Sequence, residues 1–154
     1  MHDNINIVKS LYSDNSQAIS DMHSYTNKDL KVWEKEVISL FTPKAKILDI
    51  GCGMGRKAFY LNELGFKVTG IDISEEVITI AKQYAITNNI DIEFLVSNGL
   101  DLPFINSDFD VVIIWAQTFG LFYGEENQQH ILAECKRVLK NGGMLSFSVH
   151  DQKY

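Results

Sequence analysis

The chain has 154 residues, and 45% of them are apolar, enough for one domain of ordinary size with a substantial core. Its 14 basic and 20 acidic residues leave a net charge of −6, and without a basic cluster we expect no binding to nucleic acid. Two cysteines suggest no disulfide framework, and neither a signal-peptide pattern nor an apolar run of membrane-spanning length is seen, so we expect a cytoplasmic protein without membrane contact.

The first 27 residues are polar with scattered aromatic side chains. We expect residues 1–27, above all the part from Tyr12 to Tyr25, to cover a ligand pocket as a lid, and residues 28–154 to form the binding domain. Thr26 and Asp29 resemble a capping box, which predicts a helix from about Lys28 to Phe41. Its expected buried face consists of five apolar residues: Leu30, Trp33, Val37, Leu40 and Phe41.

A strand–helix–strand unit follows. The pattern predicts a first strand at about Lys46 to Ile50, a glycine-rich turn from Gly51 to Gly55, and a helix at about Arg56 to Leu64. A second strand at about Lys67 to Ile71 then leads directly to Asp72. Because parallel sheets bind small molecules at the carboxyl ends of their strands, the turn and this acid are placed at the expected ligand site.

The glycine turn has the spacing G-x-G-x-G, with Asp49 two residues before its first glycine, whereas dinucleotide sites usually have G-x-G-x-x-G. Gly51, Gly53 and Gly55 let the backbone turn sharply and approach a ligand without a Cβ in the way. The helix that follows points its N-terminus at the same space, which favours a carboxylate there. Asp72 suits a pair of vicinal hydroxyls, since an ionised carboxylate only accepts hydrogen bonds.

Further strands alternate with helices in the second half of the chain. Ser74 is the expected N-cap of a helix that ends near Asn89, and Ile92 to Val96 alternate as a third strand. The continuously apolar run within Asp108 to Trp115 predicts a fourth strand that is covered on both faces. A last helix is predicted by an apolar face that consists of Ile131, Leu132, Cys135, Val138 and Leu139. It ends at Asn141-Gly142-Gly143, and a fifth strand follows from Met144 to Val149. This alternation predicts an α/β fold with a parallel sheet.

The loop from Asp49 to Gly55 together with Asp72 resembles the E/D-x-G-x-G-x-G loop and acid of the class I, Rossmann-like S-adenosylmethionine (SAM) dependent methyltransferases. Two later segments are also similar to that family: Leu102-Pro103-Phe104 with Phe109-Asp110-Val111-Val112, and Arg137 to Gly143, where Asn141 replaces a proline. The similarity runs from about Ala45 to Val149. It implies a three-layer, mostly parallel Rossmann-like sheet with helices on both faces, and SAM as the methyl donor with S-adenosyl-L-homocysteine as the product.

The resemblance also implies roles for individual residues. The backbone of Gly51, Cys52 and Gly53 would pack along the methionine part of SAM. Asp49 matches the acid near the SAM ammonium group. Arg56 is a candidate for a charge-assisted contact to the SAM carboxylate, with a solvated helix residue as the alternative.

The nucleoside end of SAM would lie against the next two strands. The resemblance places Asp72 at the ribose and Ile73 against the adenine. Asn98 and Gly99, with Leu100 beside them, stand where the family often has Asp-Ala at the adenine edge, and an amide oxygen can still accept a hydrogen bond there. The residues after the fourth strand that would line the methyl-donor pocket are Trp115, Ala116 and Gln117. Trp115 is equally well explained as a core aromatic.

No catalytic base stands out. Methyl transfer from a sulfonium depends largely on alignment in a dry pocket, so a base is needed only if the acceptor must lose a proton. His150 and His23 are the candidates, and for both a surface histidine is the simpler explanation. The four histidines show no metal-ligand spacing, and no metal is expected.

We therefore expect a SAM-dependent methyltransferase that acts on a small-molecule acceptor. Two alternatives stay open: a SAM-binding module that depends on a partner for catalysis, and a nicotinamide-dependent oxidoreductase of a related fold. The family's sheet usually continues beyond the fifth strand with a helix and an antiparallel strand pair, which this sequence lacks. We expect either a fragment of a longer protein or a second chain, such as a homodimer partner, against this apolar edge.

Overall fold

The alternation of apolar strands and amphipathic helices produces a five-stranded parallel sheet. The structure is a computed structural model that describes residues 30–149. Its helices are α1 (Val32–Ser39), α2 (Arg56–Glu63), α3 (Glu75–Thr87) and α4 (Glu125–Val138), with a 3₁₀ turn at Thr118–Leu121. Its strands are β1 (Lys46–Ile50), β2 (Lys67–Asp72), β3 (Glu93–Val96), β4 (Phe109–Ile114) and β5 (Leu139–Phe147).

The strand order β3-β2-β1-β4-β5 makes β1 the centre of the sheet. The chain proceeds from β1 to β2 and β3 on one side, and then crosses to β4 and β5 on the other. Parallel sheets of this kind open a crevice at the carboxyl ends of the two strands where the direction of winding reverses. Those strands are β1 and β4, so the fold places the glycine loop after β1 at the edge of that crevice.

Helices cover both faces of the sheet, and each face has its own apolar cluster. Residues from α1, α2 and α3 pack on one face against Ile47 and Ile113, while residues from α4 pack on the other against Leu48 and Val112. Ile47, Leu48, Val112 and Ile113 are fully buried, as the alternation of side chains on a doubly covered sheet requires. The expected three-layer, Rossmann-like fold is therefore confirmed.

The first helix differs from its predicted extent. It begins at Val32, not at Lys28, because Glu34 Oε2 accepts a hydrogen bond of 2.8 Å from the Lys31 backbone N–H and so satisfies a donor at the helix start. The prediction that Leu40 belongs to the buried face of this helix was wrong, because Leu40 is 66% exposed. Glu34, which was not predicted to be buried, is only 2% exposed. The expected cap residues Thr26 and Asp29, the lid segment 1–27, and the histidines His23 and His150 lie outside the described residues.

The fifth strand was predicted to start at Met144 but begins at Leu139, directly after α4. Phe109 pairs with Leu139 and the next pair joins Val111 to Met144, so residues 140–143 form a bulge opposite a single residue of β4. Gly142 within it has φ 76°, a left-handed value that favours glycine. The predicted turn is thus a bulge inside the strand.

In the described part of the chain, β3 and β5 are the two edge strands of the sheet. Within residues 30–149 the sheet has no strand beyond β5, in agreement with the expected lack of a further strand pair. The helices described there are all too short or too polar to cross a lipid bilayer.

Candidate functional site

The glycine loop is fastened to the end of β2. The backbone N–H groups of Gly51 and Cys52 both donate to the Ile71 carbonyl, at 2.8 and 3.0 Å. Gly51 has φ 77°, and a Cβ there would lie only 2.2 Å from the methyl carbon of Thr118. Gly53 has φ 55°, and a Cβ there would meet no protein atom within 4 Å. Gly51 is thus needed for close packing, whereas Gly53 borders open space in front of the loop.

Asp72 ends β2 and connects the loop to the following helix. One carboxylate oxygen accepts from the Gly53 N–H at 2.9 Å, and the other accepts from the Ser74 N–H at 3.0 Å. Burial raises the pKa of this carboxyl above its usual value, and the backbone hydrogen bonds partly offset that effect. A carboxylate offers about four acceptor positions. Asp72 is therefore held rigidly, and its carboxylate keeps acceptor capacity for a ligand hydroxyl.

Asp49 is buried in β1, with 3% of its surface exposed. Its carboxylate makes no hydrogen bond or ion pair within the described part of the chain. Burial raises its pKa to about 7; the Lys57 ammonium opposes this rise and the Asp72 carboxylate adds to it. A buried acceptor without a partner is unusual in a folded protein, and it would be stabilised by a cationic ligand group beside the glycine loop.

The third strand brings the Asn98 segment to the same edge of the sheet, since the Ser97 N–H donates to the Asp72 carbonyl at 2.9 Å. Asn98 Oδ1 accepts from the Leu100 N–H at 2.9 Å, so the side-chain oxygen is already engaged in a local turn. The side-chain NH₂ is therefore the group better placed to bind a ligand. Gly99 is buried with φ 76°, and a Cβ there would lie 2.9 Å from the Phe122 ring. Contact of Asn98 and Gly99 with the adenine edge stays a prediction.

The end of β4 is strained and firmly held. Ala116 and Gln117 have φ values of 53° and 66°, in the left-handed region that residues with a Cβ seldom adopt. The Ser148 hydroxyl accepts from the Gln117 N–H at 3.2 Å, and Trp115 Nε1 donates to Ser146 Oγ at 2.8 Å. Strain of this kind accumulates at ligand sites. The buried Trp115 is part of the core face formed by α1 and α2.

The structure thus brings the loops after β1, β2, β3 and β4 to one edge, as the sequence predicted. Ile73 is half-buried behind Asp72, and Arg56 is exposed at the first turn of α2. Cys52 Sγ donates to the Gly53 carbonyl at 3.5 Å, and burial raises its pKa well above the usual range, so it is no nucleophile at neutral pH. No cluster of metal-ligating side chains occurs among residues 30–149.

Sequence reasoning missed two residues of this region, Glu34 and Lys57. They form an ion pair in which Glu34 is almost fully buried, and the Lys57 ammonium lies 5.2 Å from the centroid of the Trp115 ring. A signal was available, because Glu34 interrupts the apolar face of α1 between Trp33 and Val37. Thr118, packed on Gly51, was also missed, and no sequence pattern marks it.

Comparison with known proteins agrees with this geometry. A family model described as a methyltransferase domain matches residues 47–143, more than half of the chain. A putative methyltransferase of Geobacillus sp. strain WCH70 is 33% identical, over 82% of this chain and 49% of its own length. The chain belongs to the class I, Rossmann-like SAM-dependent methyltransferase family.

Two further members of this family are similarly related. A demethylmenaquinone methyltransferase of Bacillus cereus is 33% identical, over 82% of this chain and 56% of its own length. The solved structure of a SAM-dependent methyltransferase from Methanosarcina mazei is 32% identical with a TM-score of 0.66, and the match covers 76% of this chain and 57% of that one. The chain therefore spans about half the length of the curated relatives it matches.

Proposed function

We propose that this domain binds SAM at the carboxyl ends of β1, β2 and β4 and transfers its methyl group to a small-molecule acceptor. The observation that carries the proposal is Asp49. A buried carboxylate with no partner among residues 30–149, beside a glycine loop that borders open space, matches a ligand with a cationic group next to a flexible chain. The ammonium of SAM is such a group.

The other described residues fit the remaining parts of SAM. Asp72 keeps acceptor capacity for a ribose hydroxyl, and the open side of Gly53 leaves room for the methionine chain. Arg56 at the N-terminal turn of α2 is suited to the carboxylate, which the helix dipole also favours. Ile73, Asn98, Gly99 and Leu100 would flank the adenine, and Trp115, Ala116 and Gln117 would border the methyl group.

SAM supplies a methyl group that is already activated on a sulfonium. The chain's own task is then to fix the donor and exclude water. The hydrogen bonds from Gly53 to Asp72 and from Gln117 to Ser148 keep the loops after β1, β2 and β4 in place before a ligand arrives. Such preorganisation lowers the entropic cost of aligning donor and acceptor.

Two observations support a small organic acceptor. The net charge of −6 disfavours nucleic acid, and one relative is named for demethylmenaquinone. We infer a small organic acceptor, a cytoplasmic location and a homodimer joined at the outer edge of β5. Because the match covers only about half of each relative's own length, binding of SAM without turnover by this chain alone is the second candidate function.

Calorimetric titration of the purified chain tests donor binding. S-adenosylhomocysteine should bind with a micromolar dissociation constant, and NAD should give no heat of binding. Absence of binding by S-adenosylhomocysteine, or equal binding of NAD, would refute the donor assignment.

Methyl-labelled SAM, incubated with the chain and a cell extract, tests the acceptor class. The label should appear in the small-molecule filtrate. Label in protein or RNA would contradict a small acceptor, and binding without any transfer would favour the second candidate.

A further inference from the structure

Glu34 and Lys57 form a buried ion pair that connects α1 to α2. The Lys57 ammonium contacts Glu34 Oε1, and the two side chains are 20% and 2% exposed. The second oxygen of Glu34 is also engaged, since it accepts the Lys31 N–H at 2.8 Å. Glu34 is thus fixed at both oxygens. A buried charge pair with additional hydrogen bonds is well defined in geometry.

Lys57 contacts Glu34 and also lies close to Trp115, one of the candidate residues of the donor site. Its ammonium is 5.2 Å from the centroid of the Trp115 ring, a cation–π distance, and Trp33 of α1 packs edge-on against the same ring at 5.3 Å. Lys57 is close enough to Asp49 to favour the ionised form of that carboxyl. Within the described residues, however, no hydrogen bond or ion pair joins Lys57 to Asp49.

We propose that Glu34 is a positioning residue, which holds the Lys57 ammonium away from Asp49 and thereby keeps Asp49 available for the donor's ammonium group. This inference rests on the proposed binding of SAM at Asp49. Three features carry it: the fixed geometry of Glu34, the position of Lys57 over Trp115, and the lack of a described partner for the buried Asp49 within residues 30–149. It gives the first helix a role in donor affinity.

The physical reason is competition between two cations for one carboxylate. Without the Glu34 charge, the partly buried Lys57 ammonium loses its partner, and a buried unpaired charge is strongly unfavourable. Asp49 is a buried carboxylate near it that also has no partner in the described part of the chain, so Lys57 would move onto Asp49. The ammonium of an incoming donor would then have to displace Lys57. Ligands without an amino-acid portion would meet no such competitor.

The experiment compares two ligands in calorimetric titrations of the full chain. S-adenosylhomocysteine carries the ammonium group, and 5′-methylthioadenosine lacks the whole amino-acid portion. In Glu34→Gln the affinity for S-adenosylhomocysteine should fall about tenfold, the worth of one charge-assisted hydrogen bond, while the affinity for 5′-methylthioadenosine should stay within about twofold. Glu36→Gln is the matched control on the exposed side of α1 and should change neither affinity.

A double variant separates positioning from support of the fold. Glu34→Gln combined with Lys57→Met removes the competing cation and leaves no buried unpaired charge, a change that proteins often tolerate. The preference for S-adenosylhomocysteine over 5′-methylthioadenosine should return to within about threefold of the wild-type value. This variant also tests the inference if the single variant does not fold.

Three outcomes would overturn the inference while leaving donor binding intact. They are an unchanged affinity for S-adenosylhomocysteine in Glu34→Gln, an equal loss for both ligands, and a double variant that keeps the full loss of selectivity. A wild-type chain that binds neither ligand would instead refute the proposed function, and the inference with it.

Discussion

At the scale of single residues, the buried carboxylate of Asp49 lowers the stability of the ligand-free fold. Burial raises the pKa of its carboxyl from 3.8 to about 7, so the folded chain resists ionisation of a group that the unfolded chain ionises readily. The stability associated with neutral Asp49 is fully present below pH 3.8 and is lost as the pH rises to about 7. Without a cationic ligand, ionisation of Asp49 therefore destabilises the folded chain at neutral pH.

Replacing this carboxyl by an amide should stabilise the ligand-free chain. The gain of Asp49→Asn should grow from about pH 4 to pH 7 and reach a few kcal/mol, because one pKa unit corresponds to about 1.4 kcal/mol. Urea unfolding of both proteins at pH 5 and pH 8 measures it. The same variant should bind S-adenosylhomocysteine more weakly. An equal gain at both pH values would mean that it does not come from ionisation of Asp49.

The residues of the candidate site differ in how readily the sequence reveals them. Asp49, Asp72 and the glycines stand in a local motif, so spacing along the chain was enough to find them. Glu34 and Lys57 are separated by 23 positions and meet only because α1 and α2 pack on the same face of the sheet. Glu34 is marked locally because it interrupts the apolar face of α1, but its pairing with Lys57 depends on tertiary structure and has no local signal.

At the scale of elements, α4 is fastened to the loop before β4 by one side chain. Arg137 donates to the carbonyls of Leu102 and Phe104 at 2.9 and 2.7 Å, and also to the carboxylate of Glu134 at 2.7 and 2.8 Å. The second oxygen of Glu134 also accepts the Leu102 N–H at 2.9 Å. These contacts explain why the Leu-Pro-Phe segment and the arginine occur together in the sequence.

Arg137→Lys should destabilise the chain by about 1–3 kcal/mol, because a single ammonium cannot satisfy the carboxylate and both carbonyls. Urea unfolding at pH 7 measures the loss, and Lys136→Met, at the exposed neighbouring position, is the matched control and should change little. If both variants unfold at the same urea concentration, the loop is not held by Arg137.

This network should also weaken in acid. The Arg137 side chain lowers the pKa of Glu134 from 4.5 to about 2, so its contribution is present above pH 4.5 and is lost as the pH falls toward 2. The destabilisation caused by Arg137→Lys should shrink accordingly. A loss that is the same at pH 7 and pH 3 would show that the ion pair contributes nothing.

Element types were predictable here, whereas two boundaries were not. The periodicity of apolar residues identified all five strands and four helices of residues 30–149. The start of α1 depends on the capping contact from Glu34 to Lys31, and the start of β5 depends on the pairing of Leu139 with Phe109. The first is a polar contact and the second a long-range one, and apolar periodicity reports neither.

At the scale of the whole molecule, the outer edge of β5 pairs with no strand of the described region. Phe147 near its end is 42% exposed and packs on Phe119 with ring centroids 4.6 Å apart. Exposed strand edges with apolar side chains recruit other chains. The parallel sheet was predictable from sequence, but what covers this edge was not, because it depends on a surface beyond the described strands.

Self-association through this edge is expected to give a twofold dimer, since closed symmetric pairs are the commonest oligomers. Sedimentation of the purified chain at micromolar concentration should show the dimer, and Phe147→Lys should weaken it. Val96→Lys, at the opposite edge in β3, is the control and should leave association unchanged. A monomeric wild type, or a dimer that Phe147→Lys does not affect, would rule out this interface.

The central claim is that the carboxyl ends of β1, β2 and β4 form a SAM site in which Asp72 holds the ribose. The most direct test is calorimetric titration of S-adenosylhomocysteine into the wild type, Asp72→Ala, and the control Asp91→Ala at an exposed position before β3. The loss of charge-assisted hydrogen bonds predicts an affinity at least about tenfold weaker for Asp72→Ala and unchanged for Asp91→Ala. Equal affinities of all three proteins would contradict the account.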